Sequence, residues 1–143
     1  MAPLTETLHA TTVSLDGHGA LILGASGTGK SALALQLIAL GAVLVADDRT
    51  LLTSDAKTVT ASAPDAIAGK IEARGVGILN VPYEHSAQVV LAVDMGQHSA
   101  QRLPDPVSIE VLDIPLPCLR RVDGPHFAAA ILLSLRRSIN LRS

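Results

Sequence analysis

Residues 11–15 alternate polar and apolar, Asp16-Gly17-His18-Gly19 carries turn chemistry, and residues 20–23 form a short apolar run, a pattern that predicts a β-hairpin. After a glycine-rich stretch, residues 30–40 run without a breaker through strong helix formers with apolar side chains on nearly every face, which predicts a largely buried helix. Gly41 stands where a helix end favours a left-handed residue, and the apolar run 42–46 reads as a buried strand. Beyond Asp47-Asp48, residues 50–53 and 58–62 pattern as a second hairpin around Ser54-Asp55-Ala56-Lys57. Ala63-Pro64 then interrupts, leaving 64–70 for one short helix. Residues 78–81, 87–94 and 107–111 are further strand candidates, parted by Pro82, Gly96 and Pro104-Asp105-Pro106. Pro125 suits the first turn of a closing helix over 127–137, with Asp123 near its start and Arg136-Arg137 near its end to complement the helix dipole. Together these elements predict an α/β fold, a mixed β-sheet core flanked by helices, in one domain spanning 1–143.

Composition narrows what such a fold can do. Hydrophobic residues make up 48% and charged residues 17% of the 143, enough to bury a core. Tyr83 and Phe127 are the only aromatic residues, so Leu, Ile, Val and Ala must fill that core, and base-stacking platforms are excluded. A net charge of −2 leaves no electrostatic footprint for nucleic acid or an anionic membrane. The single cysteine, Cys118, excludes an intrachain disulfide framework and four-cysteine zinc sites, and it reads as a packed thiol in a reducing compartment. His18, His85, His98 and His126 show no metal-ligand spacing. The segment before His9 carries neither a basic nor an apolar leader region, and no eighteen-residue window is apolar throughout, so the expectation is a soluble cytoplasmic protein.

The chemistry sits in two motifs. Gly24-Ala25-Ser26-Gly27-Thr28-Gly29-Lys30-Ser31 matches G-x-x-x-x-G-K-[ST] without a mismatch, between a predicted strand and a predicted helix. Glycines let the backbone wrap so that successive N–H groups point inward, and the helix N-terminus adds unpaired donors and a partial positive charge. Lys30 is placed to hold β- and γ-phosphates, and the Ser31 hydroxyl to ligate Mg²⁺. The second motif is Asp47-Asp48 at the end of the apolar run 42–46, the strand end where α/β sheets place ligands. Adjacent strand residues point to opposite faces, so one carboxylate can reach the metal while the other faces an acceptor.

These blocks resemble the C-terminal catalytic domain of HPr kinase/phosphorylase, a bacterial P-loop protein-serine kinase. The resemblance runs from Leu8-His9 through the phosphate loop and Leu44-Val45-Ala46-Asp47-Asp48-Arg49 to residues 71–81, which are similar to the family signature E-I-R-G-L-G-I-I-[DN]-V. It continues more loosely through Gln101-Arg102-Leu103 and Ile114-Pro115-Leu116-Pro117, and departs from the family pattern at Ala32 and Ala73. The chain looks like a compact form of the family without its N-terminal domain.

The resemblance implies ATP and Mg²⁺ as cofactors, and residues 24–31 with Arg74 as the nucleotide site. It implies Asp47 as catalytic acid/base with His9 beside it, and Arg102 as a transition-state contact. Ser31, Asp48 and Glu72 would stand on the metal side. The implied reaction is phosphorylation of a serine of the phosphocarrier protein HPr, its reversal by phosphorolysis, and a role in regulating carbon metabolism through the phosphotransferase system. The implied assembly is a homo-oligomer, hexameric in the family. Two other readings fit a P-loop chain of this size: a small-molecule kinase, and a nucleotide-sensing module without turnover.

Overall fold

The computed structural model describes residues 3–142. Its strands are β1 (Thr5–Leu8), β2 (Ala10–Leu15), β3 (His18–Leu23), β4 (Val43–Ala46), β5 (Thr50–Asp55), β6 (Thr58–Ser62), β7 (Lys70–Ala73), β8 (Gly77–Asn80), β9 (Ser86–His98), β10 (Val107–Val111) and β11 (Ile114–Arg121). The helices are α1 (Lys30–Ala39) and α2 (Phe127–Arg142). Nine strands form one mixed sheet in the order β1-β5-β6-β9-β3-β2-β4, with the β10–β11 hairpin joined to β9, while β7 and β8 form a separate two-stranded ribbon.

The thirteen-residue β9 makes this arrangement work. Its first residues pair antiparallel with β6, its later ones pair parallel with β11, and its other flank pairs parallel with β3. Alternation along the strands then divides the core in two. Ala20, Ile22, Leu44 and Val93 face α1 and α2, whose Leu33, Leu37, Ile131 and Leu135 complete that layer. Leu21, Val45 and Val89 face the opposite way, onto Leu52, Val59, Val111 and Leu116 inside the curled sheet. A strand buried on both faces has to read as a continuous apolar run, which is the pattern of residues 20–23 and 42–46.

The first hairpin, α1, β4, the second hairpin and α2 stand where the pattern predicts them, and the fold class is the expected mixed α/β. Three strands are not foreseen by the pattern. β1 and β7 are four residues each, too short for periodicity to register. β11 carries Pro115 and Pro117, which argue against a strand. Both prolines are exposed and precede the first β9 partner, Cys118, so on that side they lie along a free edge where a missing N–H costs nothing.

The helix expected over 64–70 shrinks to a single 3₁₀ turn, Asp65–Ile67. Gly69 stops it: its φ is +73°, and a Cβ there would meet the Tyr83 ring at 2.6 Å. α1 is apolar all round as read, yet it buries only the face of Leu33, Ala34 and Leu37 together with Lys30, and leaves Leu40 exposed.

Cys118 lies buried in β11. Burial pushes its thiol above the ordinary range, and the charge of Asp94 pushes in the same direction. Thiolate is therefore scarce at pH 8 in the folded protein, and iodoacetamide is expected to label Cys118 far more slowly than it labels the urea-unfolded chain. Equal rates would contradict this. No helix among the described residues is long and apolar enough to cross a membrane.

Candidate active site

The loop between β3 and α1 has the conformation its glycines permit. Gly24, Gly27 and Gly29 have φ of +149°, +84° and +93°. At Gly24 the need is steric as well, since a Cβ would sit 2.6 Å from Thr28 Oγ1 and 3.2 Å from the Met95 Cβ. Gly29 caps α1 without a side-chain hydrogen bond, so the first helical turn offers its N–H groups to whatever occupies the loop. Lys30 is buried, and its Nζ donates to the carbonyls of Gly24 at 2.8 Å and Ala25 at 3.2 Å, which holds the ammonium inside the loop it serves.

A cavity of about 540 Å³ opens over this loop, lined by Ser26, Gly29, Lys30, Ser31, Asp47, Asp48, Glu72 and Arg74 among others. The ribbon β7–β8 supplies Glu72 and Arg74 to its wall. A second hollow of about 460 Å³ is lined by Thr7, Leu8, His9, Ser26, Asp48 and Arg49. Ser26 and Asp48 line both.

The two aspartates are separated by a turn rather than by strand alternation. β4 ends at Ala46; Arg49 N–H donates to the Asp47 carbonyl at 2.8 Å across Asp48, whose φ is +68°. This is the strained form of the γ-turn, a conformation that persists only where the surroundings hold it. Here Thr11 Oγ1 accepts the Asp48 N–H at 3.1 Å.

The carboxylates consequently live in different environments. Asp47 is 9% exposed and accepts three hydrogen bonds: Oδ1 accepts from Ser31 Oγ at 2.6 Å and Thr11 Oγ1 at 3.0 Å, and Oδ2 accepts from Glu72 N–H at 3.0 Å. The Asp48 side chain is 61% exposed, and its Oδ1 bonds His9 Nε2.

Most of the residues singled out in the sequence line these two hollows, with three differences from the expected arrangement. His9 meets Asp48 and not Asp47, because Asp47 is turned inward onto Ser31 while the γ-turn aims Asp48 toward β1 and β2. By the same turn, the carboxylate bonded to Ser31 is Asp47 and not Asp48. Arg102 is exposed in the loop between β9 and β10 and lines neither cavity.

Two participants went unread. Thr11 is fully buried and touches both aspartates; its signal was a pair of threonines inside a buried strand. Arg121 donates from β11 to the Thr28 carbonyl, a contact across 93 positions that no local pattern announces.

Comparison with known proteins shows the family of this chain. Residues 1–97 match the family described as HPr Serine kinase C-terminal domain. An HPr kinase/phosphorylase from Geobacillus thermodenitrificans is 36% identical over 148 residues, covering 94% of this chain and 48% of that protein. Another from Caldicellulosiruptor bescii is 47% identical over 76 residues, covering 52% of this chain and 24% of that protein. The solved structure of the Hpr(Ser) kinase/phosphatase from Coxiella burnetii matches with a TM-score of 0.77 at 27% identity, over 96% of this chain and 92% of that one. The chain thus spans about a quarter to a half of the length of these curated relatives.

Proposed function

Because the chain belongs to the HPr serine kinase C-terminal domain family, we propose that it binds Mg·ATP and transfers the γ-phosphoryl group to a seryl hydroxyl of the phosphocarrier protein HPr. The observation that carries this reading is the placement of Asp48: an exposed carboxylate, oriented by His9, standing in the wall shared by the phosphate-loop cavity and the second hollow. A group that accepts a proton from an incoming alcohol has to be reachable from outside while lying beside the phosphate site, and Asp48 satisfies both conditions.

The division of labour follows from burial and bonding. The loop amides, Lys30 and Arg74 bind the triphosphate in the larger cavity. Among the described residues no three His, Cys, Asp or Glu side chains cluster as a self-sufficient metal centre. That suits Mg²⁺, which takes one or two protein carboxylates and completes its shell with phosphate oxygens and water.

Ser31 Oγ and Asp47 Oδ1, 2.6 Å apart, with Glu72 on the same wall, are hard oxygen donors of the right kind to hold it. When bound, Mg²⁺ neutralises charge on the phosphates. The acceptor serine enters from the hollow lined by His9 and Arg49. Asp48 takes the hydroxyl proton as the seryl oxygen bonds to the γ-phosphorus, and the bond to the β-phosphate oxygen breaks to release ADP. Run with inorganic phosphate attacking phosphoserine, the same carboxylate returns its proton to the departing seryl oxygen and pyrophosphate forms.

The test is incubation of the purified chain with HPr and Mg·ATP, then with excess inorganic phosphate, followed by mass spectrometry. The expected result is one phosphoserine on HPr that disappears in the second step. ATP consumption with HPr unmodified would refute the protein-kinase reading, and retention of the phosphoserine would refute phosphorolysis.

A further inference from the structure

The peptide joining Thr28 to Gly29 is a weak point of the phosphate loop. Gly29 has φ +93° and no Cβ, so rotation of that peptide about its flanking bonds meets little steric resistance. In a trans peptide the carbonyl and the N–H point to opposite sides. The direction of the Thr28 carbonyl therefore decides whether the Gly29 N–H turns toward the cavity that Gly29 lines.

That carbonyl has a partner from the far end of the chain. Arg121 Nη1 donates to Thr28 O at 3.1 Å. The guanidinium is itself fixed: its Nε donates to Asp123 Oδ1 at 2.7 Å, and Asp123 Oδ2 bonds His98 Nε2 at 2.7 Å. A planar fork held on two edges cannot rotate away from the carbonyl as a single flexible ammonium could. Hydrogen bonds from Arg121 and then His98 hold the Asp123 carboxyl below its ordinary range, which keeps it an acceptor.

The backbone is shaped for this contact. The β9–β11 register runs Arg120 opposite Asp94 and then jumps to Arg121 opposite His98. Asp94 Oδ1 accepts the Gly96 N–H at 2.8 Å inside that irregularity, and Ser99 N–H closes it on Arg121 O at 2.9 Å. Such bulges re-aim side chains beside functional loops. Met95, in the same stretch, packs against the loop at Gly24 and Gly29.

We propose that Arg121, oriented by Asp123, is a positioning residue for nucleotide binding that anchors the Thr28–Gly29 peptide with its N–H turned toward the phosphates. The inference rests on the Mg·ATP reading above and assigns a task to the C-terminal strand that the phosphate-loop motif does not contain.

Calorimetric titration with Mg·ATP of the parent chain, Arg121→Ala, Arg121→Lys and Asp123→Asn, with urea unfolding of each, tests it. Arg121→Ala is expected to bind roughly tenfold more weakly, the effect of losing a charge-assisted hydrogen bond. Arg121→Lys should recover part of that loss. Asp123→Asn, at a side chain 60% exposed, should weaken binding about threefold with an unchanged urea midpoint.

Affinity of Arg121→Ala within twofold of the parent would overturn the proposal, as would losses that track the urea midpoint across all three variants. If the parent itself takes up no Mg·ATP, the nucleotide reading fails and this one with it; a parent that binds beside an undiminished Arg121→Ala refutes the positioning role alone.

Discussion

Asp48→Asn is expected to bind Mg·ATP within about twofold of the parent and to lose phosphoryl transfer by on the order of a thousandfold. The amide keeps the size of the side chain but cannot take the proton of an incoming hydroxyl. Its environment is forgiving, because the side chain is 61% exposed and its described side-chain partner is His9. Folding should therefore be unchanged, and the loss should fall on kcat with the acceptor KM little altered. Single-turnover phosphorylation of HPr, alongside calorimetry with Mg·ATP, separates the two terms. Transfer within tenfold of the parent would remove Asp48 from the chemistry and return the role to Asp47.

Asp47→Ala is expected to fail differently. Asp47 accepts from Ser31 Oγ, Thr11 Oγ1 and Glu72 N–H, and Thr11 is wholly buried, so truncation strands donors that water cannot all reach. Leaving buried donors unsatisfied costs roughly 2–3 kcal/mol in sum, read as a lower urea midpoint. With the carboxylate gone, the Mg²⁺ dependence of ATP binding should also largely disappear, while Asp48→Asn keeps it. Asp47→Asn belongs between these variants, since its amide retains one acceptor but presents an NH₂ to groups that are donors themselves. An Asp47→Ala chain as stable as the parent, with undiminished Mg²⁺ dependence, would show that Asp47 is neither a structural acceptor nor a metal-side group. These two variants test the proposed assignment of base and metal-side carboxylate to adjacent positions, an assignment that rests on one strained turn.

That turn also marks where reading the chain stops. Strand alternation suggests that Asp47 and Asp48 face different sides; their side chains do bond different partners, but a turn separates them after the strand has ended at Ala46. The pairing of His9 joins positions 39 apart, and the clamp of Arg121 joins positions 93 apart. Neither leaves a periodic trace. Arg102 enters the expected site only through the resemblance of a short stretch, and it lines neither cavity. β11 was hidden because its prolines speak against a strand unless one knows which edge is unpaired.

What the amino-acid order determined by itself was local. The phosphate loop needs glycines at positive φ followed at once by a helix start, and the buried strands need continuous apolar runs; both are properties of neighbouring residues and are written in neighbouring letters. Tertiary structure decided which carboxylate turns to Ser31 and which to His9, and which arginine grips the loop. Those choices depend on directions in space set by a γ-turn and a shifted β9–β11 register, and hydrogen bonds between distant segments have no fixed spacing in sequence.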